Sequence, residues 1–217
     1  MGARHGTCEA VLCDVDNVIR FYDVSGLSAL ECAAGLPVGT TEAVAYAPEV
    51  DLPFLLGRIT QEEWIEAVAL SLAERVGHAR ARELGRALAE APFRADAAVV
   101  ALLRRVKSRV PLVLVTNATP RLYEDLAALG LTDLADHVVS SAVEGVAKPD
   151  PAIYRIAAAR AGVPENRCLF VDDSEENVEA AVALGMTGIR FREPADLHSP
   201  FGLLLGGRPA PATRGAP

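Results

Sequence analysis

Asp14 and Asp16 stand two residues apart, just after the apolar run Ala10-Val11-Leu12-Cys13. Side chains two apart on an extended chain point to one side, so both carboxylates can enter one pocket. Thr116-Asn117 follows a second apolar run, Leu112 to Val115. A hydroxyl and the peptide N–H groups after it suit the holding of phosphate oxygens near a helix N-terminus. Lys148 stands just ahead of Pro149-Asp150-Pro151, the start of a proline-initiated helix. The helix dipole disfavours a cation there, which points to a tertiary role for Lys148. Asp172 and Asp173 close a third run, Cys168 to Val171. Adjacent like charges are costly unless a cation or donors compensate, and a hard cation such as magnesium takes oxygen ligands of this kind. Each signal alone has a bland reading: a strand-ending turn, a helix cap, a solvated lysine, an N-cap by Asp173 or Ser174. Together they supply the separate parts of a phosphoryl-transfer site, namely nucleophile and acid, hydroxyl, cation and metal ligand.

The elements that must position these residues follow from the pattern. Short continuous apolar runs recur at 10–13, 111–115, 137–139, 168–171 and 188–191, and read as strands buried on both faces. Helical patterns lie between the later runs, so the chain reads as α/β with a parallel sheet. Ligands bind such sheets at the carboxyl ends of the strands, where each signal falls. Helix ends are marked by Thr119-Pro120 and Gly130, by Asp150-Pro151 and Gly162, and by Ser174 and Gly185. Residues 21–91 carry no comparable strand signal and read as helical throughout. Thr60 and Glu63 predict a capping box, followed by Trp64, Ile65, Val68, Leu72 and Val76 at helical spacing and a stop at Gly77. A second helix is expected from His78 to Ala91. Residues 199–217, rich in Gly, Pro and Ala, read as a mobile tail.

Composition narrows the function classes. The chain has 217 residues, half of them hydrophobic, enough for one core with an insertion. A formal net charge of -8 does not favour nucleic acid or an anionic membrane as partner. Cys8, Cys13, Cys32 and Cys168 form no close pair and read as reduced thiols, with Cys13 and Cys168 packing as small hydrophobes. The polar start to Thr7 lacks the apolar core of a signal peptide, and no run approaches a membrane span. A cytoplasmic location is expected.

The ordered set Asp14-Val-Asp16, Thr116-Asn117, Lys148-Pro149-Asp150 and Asp172-Asp173-Ser174 resembles the haloacid dehalogenase superfamily. The resemblance implies a Rossmann-like parallel-sheet core, residues 1–20 and 92–198, flanked by helices, with a small all-helical cap, 21–91, inserted after the first motif. It implies that Asp14 is a nucleophile forming an aspartyl phosphate and that Asp16 is a general acid and base. Thr116, Asn117 and Lys148 would hold the phosphoryl group. Asp14, the Asp16 backbone carbonyl and Asp173 would hold magnesium, with Asp172 and Asn177 in support. The superfamily commonly has glycine where this chain has Asn17, and asparagine also tolerates a left-handed backbone. Hydrolysis of a small phosphorylated metabolite is the expected activity. A 2-haloacid dehalogenase, a phosphomutase and a catalytically idle binding relative stay open, although Asp16 and the Asp172-Asp173 pair favour phosphate chemistry. Tyr22, Tyr46, Phe54, Arg58 and Trp64 are the possible substrate contacts in the inserted helices, although most read as packing residues, Trp64 above all because it sits on the apolar stripe, and oligomeric state is not legible.

Overall fold

A computed structural model describes residues 8–206. The polar start and residues 207–217 of the expected tail lie outside the described residues.

The centre is a five-stranded parallel sheet. Its strands are β1 (Ala10–Cys13), β4 (Leu112–Thr116), β5 (His137–Ser140), β6 (Cys168–Asp172) and β7 (Thr187–Arg190), in the order β5-β4-β1-β6-β7. The apolar runs are continuous because the sheet is covered on both faces. Val11, Cys13, Leu112, Leu114, Leu169 and Val171 face one core. That core is closed by α6 (Ala97–Lys107), α7 (Leu122–Ala128) and α11 (His198–Leu204). Ala10, Leu12, Val113, Val115, Cys168 and Phe170 face the other, closed by α9 (Pro151–Ala161) and α10 (Glu175–Ala183). Cys13 and Cys168 are buried free thiols, as their apolar settings imply. A short helix, α8 (Ser141–Glu144), follows β5.

Between β1 and β4 the chain leaves the sheet and returns. It goes out on β2 (Arg20–Tyr22) and comes back on β3 (Phe93–Ala95), which pair antiparallel with Tyr22 opposite Phe93. Between them lie five helices: α1 (Ser25–Ala33), α2 (Thr40–Ala45), α3 (Pro48–Leu55), α4 (Gln61–Val76) and α5 (His78–Ala89). They enclose a core of their own, with Leu27, Trp64, Ile65, Val68, Leu72 and Leu84 buried. The capping box forms as the sequence predicts: Thr60 accepts from the Glu63 N–H, and the Glu63 carboxylate accepts from the Thr60 N–H. Gly77 ends α4. Glu31 is fully buried, yet its two oxygens accept from the Gly39 and Thr41 N–H groups, which ties α1 to α2.

Three expectations need correction. The strand pair β2–β3 appears where no strand is expected from residue 21, because three-residue strands are too short to show a period. Thr119 does not cap α7. The helix begins at Leu122, and the Thr119 hydroxyl only accepts from the Arg121 N–H at 3.3 Å. Residues 198–204 form α11 in place of the mobile tail expected from 199, because Phe201 is buried against the sheet. Among the described residues no helix is long and apolar enough to cross a membrane.

Candidate active site

Asp14 follows β1, the central strand, and is 6% exposed. Its neighbours β4 and β6 end in Thr116 and Asp172, so three carboxyl ends meet at one crevice. Lys148 reaches in from the loop before α9. Its ammonium lies 2.8 Å from the Asp14 Oδ1 and 2.6 Å from the Asp172 Oδ2. The Lys148 side chain is 1% exposed, so its charge has left water and is compensated by these two carboxylates. Burial lowers its pKa, but Asp14 and Asp172 more than offset that, and the net direction is upward.

Asn117 has a task the sequence does not disclose. Its amide oxygen accepts from the Lys148 N–H at 2.7 Å, and its Nδ2 donates to the Lys148 carbonyl at 2.9 Å. This reciprocal pair fixes the backbone from which Lys148 extends. Asp172 is equally committed. Its Oδ2 takes Lys148, and its Oδ1 accepts from the Ser174 N–H at 2.9 Å and from Asn177 Nδ2 at 3.0 Å. Asp173 keeps more freedom, with one contact at 3.0 Å from Asn17 Nδ2 to its Oδ2. Asn17 has φ +58°, the left-handed conformation that stands in for glycine, and it also gains this contact.

Oxygen atoms of Asp14, Asp172 and Asp173 lie within 4.8 Å of one another. Burial raises the Asp14 carboxyl pKa, Lys148 pulls it down, and Asp172 and Asp16 add to the rise. Asp173 is also raised, first by burial. A site that crowds three carboxylates around a single lysine fits a hard divalent cation, whose charge would offset the repulsion. The Thr116 hydroxyl is fully buried and has no hydrogen-bond partner among the described residues. Such an orphan calls for an oxygen ligand. Thr116 itself stands behind the cavity wall, which at this point is formed by Asn117, Ala118 and Thr119.

Asp16 is placed differently from the other acids. Its carboxylate is gripped by the Arg20 guanidinium in two hydrogen bonds, 2.6 Å from Nε to Oδ1 and 2.9 Å from the second nitrogen to Oδ2. Arg20 also donates to Asp125 at 2.7 Å, stacks over Tyr22 and Phe93, and is 3% exposed. The sequence reading misses Arg20. Its signal is a charged residue inside the apolar run Val18-Ile19-Arg20-Phe21, four positions after an aspartate.

Above the acids opens a cavity of about 950 Å³. Its floor includes Asp14, Asp16, Lys148, Asp173 and Asn177, and its far wall comes from α2 to α5. Of the possible contacts named from the inserted helices, Tyr22, Tyr46, Phe54 and Trp64 line it, and Arg58 does not. Among the described residues, α8 and the turn before α7 each hold these helices by a side-chain hydrogen bond beside the cavity. The Ser141 hydroxyl donates to the Leu55 carbonyl at 2.6 Å, and Arg121 donates to Gln61 Oε1 at 3.4 Å. Neither is legible in the sequence.

The family model for haloacid dehalogenase-like hydrolases matches residues 8–185. The chain belongs to that family of hydrolases. It is 34% identical over 103 residues to a sesquiterpene phosphatase of Aspergillus oryzae, an alignment covering 46% of this chain and 53% of that protein. The chain spans about half or less of the length of the curated relatives it matches. A family enzyme from Bacteroides thetaiotaomicron, solved with magnesium and inorganic phosphate, superposes with TM-score 0.63 and 18% identity, covering 82% of this chain and 91% of that one. The L-2-haloacid dehalogenase of Xanthobacter autotrophicus, solved with chloropropionic acid covalently bound, gives TM-score 0.60 at 21% identity, covering 94% and 85%. At these identities the two structures speak to fold alone.

Proposed function

We propose that the chain is a magnesium-dependent phosphomonoesterase in which Asp14 is the nucleophile. The observation that carries this reading is the meeting of Asp14, Asp172 and Asp173 around Lys148. Three acids and one buried lysine fit a divalent cation and a phosphoryl group better than they fit a carbon–halogen bond, which presents no comparable charge. The similarity to a sesquiterpene phosphatase supports the same choice. Residues 21–91 act as the cap in this reading, with the core formed by the segments on either side.

The chain's groups divide the work as follows. An oxygen of Asp14 attacks phosphorus, and the ester P–O bond breaks. Asp16 gives its proton to the leaving oxygen. Asp16, now a carboxylate, then takes a proton from water as that water attacks phosphorus, and the Asp14–phosphorus bond breaks to release phosphate. Lys148 and the Asn117 backbone N–H hold the transferring oxygens, and the Thr116 hydroxyl, buried behind the wall at 117–119, would join them only once that wall opens. Asp14, Asp173 and the Asp16 carbonyl would hold magnesium, supported by Asp172 and Asn177. The cation would keep Asp14 ionised and shield it from the anionic ester.

Arg20 sets a condition on this sequence of steps. Asp16, a carboxylate in this pair, must release at least one of its two bonds to Arg20 and take up a proton from solvent before it can serve a leaving oxygen. Asp125 is positioned to retain the guanidinium when that happens.

The test is steady-state release of phosphate from phenyl phosphate, with and without magnesium, beside release of halide from 2-chloropropionate. Magnesium-dependent phosphate release that is lost in Asp14→Asn is expected. Halide release without metal, and no phosphate release, would replace this reading with the dehalogenase.

A further inference from the structure

The cavity is much larger than a phosphate group needs, and its outer half has a distinct chemistry. Residues 24–91 contribute three carboxylates to the wall, Glu42, Asp51 and Glu90, and the rings of Tyr46, Phe54 and Trp64. Among the described residues, this stretch puts no lysine, arginine or histidine on the wall. The cations elsewhere on the wall are largely engaged. Lys148 is held by Asp14 and Asp172, and Arg20 by Asp16 and Asp125. Arg121 is about half exposed and lies 3.5 Å from Glu124. Glu90 has a distant partner in Arg86 at 3.9 Å, itself exposed.

Trp64 borders this half but is 4% exposed and stacks on Phe54, and its indole N–H lies beside the Asp51 carboxylate, so ring and acid together form a fixed part of the wall. Tyr46 is 55% exposed and lines the same cavity, so its ring is available, whereas Arg20 covers one face of Tyr22. Aromatic faces beside carboxylates attract ammonium groups and ring-bearing neutral groups, and like charges across a wall repel an anion.

We propose that this outer half is a leaving-group subsite for an uncharged or cationic alcohol with a ring or apolar body, and that it rejects an alcohol carrying a second anionic group. The inference rests on the phosphomonoesterase reading. It concerns the half of the substrate that the reading leaves open. The alcohol's body packs against Tyr46, which is 55% exposed, and Glu42 and Asp51 set the sign of the charge tolerated.

The test compares kcat/KM of the full chain with magnesium on closely matched esters: phenyl phosphate, 4-(aminomethyl)phenyl phosphate and 4-carboxyphenyl phosphate, with phosphoglycolate as a small anionic ester. The first two should agree within about tenfold, and the two carboxylate esters should fall at least roughly thirtyfold lower, mainly through KM. In the Glu42→Gln, Asp51→Asn double variant the gap between the carboxyphenyl and aminomethylphenyl esters should shrink by about tenfold or more. Carboxylate esters used as well as the others, or a gap unmoved in the double variant, would overturn the subsite while leaving the phosphomonoesterase standing. Failure to hydrolyse any ester would overturn both together.

Discussion

At the scale of single residues, the acids differ by what holds them, not by their type. Asp14 and Asp172 share one buried lysine, Asp173 keeps an oxygen open, and Asp16 is held by Arg20. Arg20→Lys keeps a charge but loses the two-pronged geometry that fixes the Asp16 carboxylate. Its kcat on alkyl phosphates, which need a proton on the leaving oxygen, should fall by roughly tenfold or more, while that on 4-nitrophenyl phosphate stays within about twofold. A uniform loss on both esters would mean that Arg20 is only structural. Asp51 gives a prediction about stability. Burial pushes its carboxyl up to about 6, with the neighbouring Trp64 N–H pulling the other way. The folded chain therefore holds this proton more tightly than the unfolded chain, and stability is lost as pH rises through about 6. Asp51→Asn should be the more stable protein at about pH 7.5, by roughly 1–2 kcal/mol once solvent screening is allowed for, and the gap should close near pH 4. Thermal melts at the two pH values decide it. The positions of the main acids at strand ends and of Lys148 before a helix were legible in the sequence because each follows or precedes a strong local pattern, whereas Thr116, expected to face phosphate, ends its strand behind the cavity wall. Arg20, Asp125 and the Asn117–Lys148 pairing were not legible, because each depends on a partner brought close only by folding.

At the scale of elements, the strands announce themselves because burial on both faces leaves no room for polar residues. The helices announce themselves through their caps where the cap is a side chain. The box at Thr60 and Glu63 is such a case, and Thr60→Ala should cost about 0.5–2 kcal/mol by chemical denaturation, with little effect on kcat. Gly77, Asp150, Ser174 and Gly162 also stand at the ends predicted for them. Thr119 does not, because its hydroxyl is taken by a local turn before α7 begins. The segment after residue 198 was misread for a different reason. Its composition is that of a tail, yet one ring, Phe201, finds the sheet core. Phe201→Ala should cost about 3–5 kcal/mol, the loss expected for a buried ring and far above that for a tail residue. An unchanged melt would contradict the packing of α11.

At the scale of the whole molecule, the α/β architecture and the place of the insertion follow from the order of patterns along the chain. The antiparallel pair β2–β3, which ties the insertion's entry to its exit, does not, since it depends on three-residue strands meeting across some seventy positions. That pair and the Ser141–Leu55 contact decide where the helical wall stands over Asp14, and so what the cavity admits. Magnesium bound between the acids should stabilise the folded chain by about 2.7 kcal/mol at a hundredfold excess over its Kd, and Asp173→Asn should lose most of that gain in a thermal shift. The central claim is that Asp14 attacks phosphorus. Acid-quenching the wild-type chain during turnover of phenyl phosphate with magnesium, then mapping phosphoryl groups by peptide mass, tests it most directly. A phosphoryl group on the peptide containing Asp14, absent from Asp14→Asn, is expected. Turnover with no phosphoryl adduct at Asp14, or with the adduct on another residue, would contradict it.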